Sequence, residues 1–288
     1  MKRAQPAGAD TIDRRHFFGT LGAGALGSWA ALQRSKRKRR RIPIALQLYS
    51  VREDAAKDLP GVLAAVAKMG YDGLEFAGYY GHSAADIRRM LDDNGLKCAG
   101  AHISLDSMLG DQLEPTVEFH QSIGNRFLIV PGLPQERRGS RQAWLDTAKI
   151  FNRLAKRLKR FHMRTGYHNH AIEFEPMDGE RPWDTLFGNT IRRVVMQLDT
   201  GNAIRGGGDP ALFLVRYRGR AATIHLKEYS ETNKKALLGE GDVPWETIFE
   251  LCETIGGTKW YIVEQESYVY PPMQCVELCL KALKEMGK

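Results

Sequence analysis

Glu173, Asp199, His225 and Glu264 stand at or just past the ends of four successive strand-like runs, RTGYHNHAIEF, VVMQLDTGN, AATIHLKEY and WYIVEQE. Three carboxylates and one imidazole form a hard, oxygen-rich donor set suited to one divalent ion: Mn²⁺, Mg²⁺, Co²⁺ or Zn²⁺. Helix capping is the alternative use for Asp199, since Asp at the end of a strand caps a following helix well, but the convergence of loops at a strand mouth favours a ligand. Glu264 is the first polar position after the apolar run from Trp260, which favours it over Glu266. A carboxylate buried there without a partner is costly, and a bound cation removes that cost. The fifth run offers two donors. His168 and His170 alternate, so both are expected to face one side, and Glu173 follows on the loop and can reach back. Either Glu173 or His168 can complete the set. The reading favours Glu173 as the ligand and leaves His168 beside the substrate.

Side chains so far apart in the chain meet only if the strands that carry them run parallel around a barrel, whose C-terminal strand ends converge on one face. The chain supplies such strands. Apolar β-type runs at Ile44–Ser50, Gly73–Ala77, Cys98–Ser104, Arg126–Pro131, Thr165–His170, Val194–Asp199, Ala222–Lys227 and Trp260–Gln265 alternate with amphipathic stretches. Leu59–Met69 before Gly70, Ala84–Asn94 before Gly95, Trp144–Phe161 and Pro272–Met286 read as helices from their 3–4 spacing and stop signals. Strict alternation over about 245 residues predicts an α/β protein, a single (β/α)8 TIM barrel over residues 42–288. A doubly wound open sheet is the competing architecture, but no Gly-x-Gly-x-x-Gly follows the first strand. Gly206-Gly207-Gly208 reads as a turn.

Charge separates the barrel from what precedes it. Of 42 Lys/Arg and 34 Asp/Glu, 11 and 2 fall within residues 1–41, which leaves 31 and 32 in the remainder, a net of −1. A near-neutral barrel lacks the basic surface of a nucleic-acid binder. Asp13-Arg14-Arg15-His16-Phe17-Phe18 followed by the small apolar run Gly19 to Leu32 resembles a twin-arginine (Tat) export signal, with a cleavage site after Ala30. That run is too short and glycine-rich for a stable membrane span. The expected location is therefore periplasmic or otherwise extracytoplasmic, with residues 34–41 left as a basic arm. The four cysteines form no disulfide framework. Cys275 and Cys279, four apart on one helix, are poorly placed for a bridge, and buried thiols are expected.

Six segments together resemble the sugar phosphate isomerase/epimerase superfamily, the xylose isomerase-like TIM barrels that also include endonuclease IV. They are Leu46 to Arg52, Leu74 to Gly81, Tyr167-His168-Asn169-His170, Leu198-Asp199-Thr200-Gly201-Asn202, His225-Leu226-Lys227-Glu228 and Val263-Glu264-Gln265-Glu266. The resemblance covers residues 44–286. It implies a metal set of Glu, Asp, His and Glu on strands five to eight, which Asp199, His225 and Glu264 match. His168 stands where the ketose epimerases carry their first Glu, and histidines in that strand are a feature of the inosose dehydratase-like members.

The resemblance also implies a metal-dependent sugar isomerase or epimerase that forms an enediolate by removing a proton next to a carbonyl. Glu173 and Glu264 would then be the catalytic pair, working on opposite faces of the substrate. His102, Glu75, His168, His170 and Lys227 would bind substrate, with Lys227 beside the developing negative charge. Gln47 and Tyr49 would line the pocket, and Trp183, Trp245 and Tyr268 would stack on sugar faces. The substrate is expected to be a small sugar or keto-sugar, unphosphorylated if the protein is exported. The same proton abstraction serves a lyase or dehydratase acting on a 3-keto-glycoside or a keto-inositol, and a non-catalytic sugar-binding barrel is a third reading. An endonuclease would need three zinc ions and a basic groove, against which eight histidines and a near-neutral barrel argue. The oligomeric state, a homo-oligomer included, stays open.

Overall fold

A computed structural model describes residues 41–288, and Arg41–Lys288 form one compact unit. The twin arginine, the apolar run after it and the basic arm up to residue 40 lie outside the described residues.

Eight parallel strands close into a barrel in sequence order: β1 Ile44–Gln47, β2 Gly73–Phe76, β3 Lys97–His102, β4 Phe127–Val130, β5 Arg164–His168, β6 Val195–Asp199, β7 Thr223–Leu226 and β8 Trp260–Val263. β1 pairs with β8 as well as with β2, so no edge is left open. This is the single (β/α)8 barrel expected from the alternation. Among the described residues no helix is long and apolar enough to cross a membrane.

The helices are built as their sequences dictate. Arg141–Leu158 buries Trp144, Thr147, Ala148, Phe151, Leu154, Ala155 and Leu158, a stripe at 3–4 spacing, and Ser140 Oγ caps it by accepting the Ala143 N–H at 3.1 Å. Asp58 and Ser83 cap Leu59–Met69 and Ala84–Asp93 in the same way. Gly70 ends the first of these at φ 98°, a left-handed conformation in which glycine meets no Cβ penalty.

Several strands are shorter than their apolar runs. β1 stops at Gln47 because the Gln47 side chain accepts the Tyr49 N–H at 3.1 Å and starts a 3-10 turn over Leu48–Val51. β5 stops at His168 because the next side chain turns sideways. Asn169 Oδ1 accepts the Asp199 N–H at 2.8 Å, and Asn169 Nδ2 donates to the Asp199 carbonyl at 3.1 Å. The register sets Gln47 beside Glu75, His168 beside Gln197 and Asp199 beside His225. With two-residue alternation, Gln197 and Asp199 on β6 and Thr223 and His225 on β7 share the inner face. Small apolar groups, Ala45, Ala99 and Ile262 on one side and Ile129, Val195 and Ala222 on the other, form separate clusters apart from the main core.

Candidate active site

The inner strand ends bring His168, Asp199, His225 and Glu264 together, each buried, with one donor atom apiece lying within 4.8 Å of all the others. Three of these are expected ligands. The fourth is His168, and Glu173 is not part of the group. Glu173 is fully buried beside β5, where Oε1 accepts the Tyr167 hydroxyl at 2.7 Å and Oε2 accepts the His170 N–H at 2.8 Å. Both oxygens are spent on holding the end of β5. The expectation that Glu173 reaches back into the cluster is corrected accordingly: the 3-10 turn Ile172–Phe174 directs its carboxylate to its own strand.

His225 is held from both sides. Its Nε2 lies 2.5 Å from Glu75 Oε2, and its Nδ1 makes a short contact with Glu264 Oε2. Burial disfavours charge on this imidazole, but the two carboxylates outweigh it and raise its pKa to about 10. Glu75, itself fully buried, is the hub beneath. Its Oε2 also accepts from Gln47 Nε2 at 2.8 Å and lies 3.2 Å from His102 Nε2, while Oε1 accepts from Gln197 Nε2 at 2.7 Å. Burial opposes its ionisation, yet the two histidines draw its pKa down to about 2. Gly100 makes room for it, since a Cβ there would stand 2.4 Å from Glu75 Oε1.

Asp199 caps a helix with one oxygen and leaves the other unpartnered. Oδ1 caps the short helix Thr200–Arg205 by accepting the Asn202 N–H at 2.7 Å. Oδ2 is buried without a hydrogen-bond partner. Burial, with Glu264 adding to it, raises the Asp199 pKa to about 6 against the pull of Lys227 and His225. His168 Nδ1 is likewise buried and unpartnered, and burial together with the neighbouring His225 and His102 rings keeps His168 uncharged. Two orphaned acceptors in a nest of two imidazoles and two carboxylates have the donor chemistry of a divalent-cation site. The residues present therefore fit such an ion.

Around this group, His102 stacks on His225 with ring centroids 5.2 Å apart and 6° between planes, and its Nε2 is 2.7 Å from Gln197 Oε1. Lys227 Nζ lies 3.5 Å from Glu264 Oε1 and pairs closely with Glu266. Burial opposes the charge on Glu264, but Lys227 and His225 hold its carboxyl well below the ordinary range. His170 sits further out than His168. It lies beyond the end of β5 and is exposed, with its ring 5.3 Å from that of His168.

Two of the three aromatics assigned to sugar stacking are elsewhere. Trp183 is buried in an aromatic cluster with Phe174, Phe187 and Phe213. Trp245 donates its indole N–H to Glu228 at 2.8 Å. That carboxylate also accepts the backbone N–H groups of Tyr229, Gly239 and Val243, which makes Glu228 the anchor of the loop after β7. Gln197 and Asn169 are site residues without an assigned role in the sequence reading. Gln197 was within reach of it, since it stands two positions before Asp199 and shares its face.

The chain belongs to the xylose isomerase-like TIM barrel family, whose model matches residues 63–286. Among curated relatives, it is similar to the rhizopine catabolism protein MocC of Rhizobium meliloti, 24% identical over 78% of this chain and 82% of that one. It is also similar to an inosose dehydratase of Geobacillus kaustophilus, 26% identical over 59% of this chain and 65% of that one. Among solved structures, a sugar phosphate isomerase/epimerase from Parabacteroides distasonis superposes with a TM-score of 0.72, at 26% identity over 84% of this chain and 93% of that one.

Proposed function

We propose that the protein is a divalent-metal-dependent lyase that removes a proton next to the carbonyl of a keto-sugar or keto-polyol and expels the group on the following carbon. The observation that carries this reading is the place of Glu173. Two carboxylates flanking a substrate would suit an epimerase, which must take and return a proton on opposite faces, but Glu173 is committed to Tyr167 and His170. Elimination needs one base and one acid. Similarity to an inosose dehydratase supports the same class.

His168, Asp199, His225 and Glu264 would hold the ion. With two imidazoles in the set, Mn²⁺, Co²⁺ or Zn²⁺ suits the donors better than Mg²⁺. Bound there, the ion supplies Lewis acidity toward a carbonyl oxygen. The other roles fall to the chain. Glu75 fixes the tautomer of His225 by accepting from Nε2, so that Nδ1 faces the cluster. Glu264, ionised and paired, is a poor proton acceptor, so the exposed imidazole of His170 at the mouth takes the α-proton. Lys227, flanked by Glu264 and Glu266, gives a proton from Nζ to the departing oxygen. In a 3-keto-glycoside the C2–H bond and the C1–O bond break, C1=C2 forms, and the aglycone leaves as the alcohol. In a keto-inositol the leaving group is water.

The test is incubation of metal-loaded protein with methyl 3-keto-β-glucoside in D₂O. Released methanol and the ultraviolet absorbance of an enone support the lyase. Deuterium exchange with return of intact glycoside or its epimer points to the epimerase instead. Export, expected from Arg14 and Arg15, accords with an unphosphorylated substrate. Retention of an Arg14→Lys, Arg15→Lys variant inside the cytoplasm, with the unaltered chain outside, supports it; equal distribution of the two counts against it.

A further inference from the structure

The loops after β8 and β1, which are neighbours around the barrel, set two tyrosines around one arginine at the same face as the buried cluster. Arg52 lies over the Tyr49 ring, with its guanidinium carbon 4.4 Å from the centroid. Its Nη1 donates to the Tyr49 carbonyl at 3.0 Å and to the Tyr268 hydroxyl at 3.1 Å, and Tyr268 in turn donates to the Ser50 carbonyl at 2.8 Å. Tyr49 is nonetheless 42% exposed and Tyr270 47% exposed. An exposed aromatic ring locked in place by a cation and a hydrogen-bonded neighbour gives up side-chain freedom with little burial in return.

Both ends of this group are tied to the buried site. Gln47, two residues before Tyr49, donates to Glu75. Gln265, next to Glu264, donates its N–H to Ser50 Oγ at 3.0 Å. We infer that Tyr49, Arg52 and Tyr268 form a subsite for the leaving portion of the substrate, a ring with a flat C–H-rich or aromatic face. This rests on the lyase reading and narrows it: the substrate is a glycoside carrying a ring-shaped aglycone, and a monocyclic keto-inositol would leave the platform unused.

Isothermal titration of the full-length, metal-loaded protein with unoxidised glycosides tests the platform without turnover, since these lack the ketone that elimination requires. The ligands are methyl β-glucoside, 4-nitrophenyl β-glucoside and cellobiose. The expected result is binding of one or both ring-bearing glycosides about 10-fold more tightly than the methyl glycoside, the scale of one aromatic stacking contact. That preference should disappear in Tyr49→Ala and in Tyr268→Ala with metal content unchanged, and survive in Leu212→Ala, a change at an exposed position of the helix Pro210–Arg216. Preference for the nitrophenyl ligand alone assigns an aryl aglycone, and preference for cellobiose alone assigns a sugar. Equal affinity for all three, or a preference that persists in both tyrosine variants, overturns the subsite. A preference lost in the variants, with no release from any keto-glycoside, keeps the subsite and rejects the lyase.

Discussion

Glu75 Oε2 lies 2.5 Å from His225 Nε2, and this contact turns the opposite nitrogen, Nδ1, onto Glu264. A carboxylate behind a ligating imidazole fixes its tautomer and raises its basicity, and losing such a partner typically weakens metal binding by about 10–100-fold. Glu75→Gln should therefore lower metal affinity by that factor, read by competition with a chelator. Unchanged affinity would show that Glu75 does not orient His225.

His170 has the exposed imidazole at the mouth, while Glu264 is held ionised by Lys227 and His225. His170→Ala should lower kcat by about 100-fold or more, as expected for loss of a general base, with metal content intact. A kcat near that of the parent chain would move the base elsewhere.

Away from the site, His120 is buried, with its Nδ1 2.9 Å from Asn125 Nδ2 and its Nε2 3.3 Å from the Tyr79 hydroxyl. Burial lowers its pKa from 6.5 to about 4. Between those values the unfolded chain binds more protons than the folded one, so this group's contribution to stability is full above pH 6.5 and falls as pH drops toward 4. The loss amounts to ~3 kcal/mol at most, for a shift of this size. Urea denaturation of the parent chain and His120→Gln across pH 4–7 should show a shallower slope in the variant. Equal slopes would mean that His120 titrates normally.

The barrel was legible because helix and strand periodicities alternate cleanly, and Asp199, His225 and Glu264 because each interrupts an apolar strand at its inner end. The fifth strand was not fully legible. Spacing places His168 and His170 on one side, but it carries no information about Asn169 turning to pair with the Asp199 backbone, which ends the strand and leaves His170 at the rim. Nor does it show that Tyr167, one residue before His168, would claim the Glu173 carboxylate. Trp183 and Trp245 failed as stacking residues for a related reason. Each is an aromatic on a short helix, and sequence alone does not distinguish a helix face turned to the core from one turned to the mouth.

The most direct test of the account is metal content by mass spectrometry of the purified parent chain, His168→Ala and Glu173→Gln after reconstitution with Mn²⁺, Co²⁺ or Zn²⁺. About one ion per chain in the parent, loss in His168→Ala and retention in Glu173→Gln is the predicted result for a site built from His168, Asp199, His225 and Glu264. An ion kept by His168→Ala and lost from Glu173→Gln would contradict it.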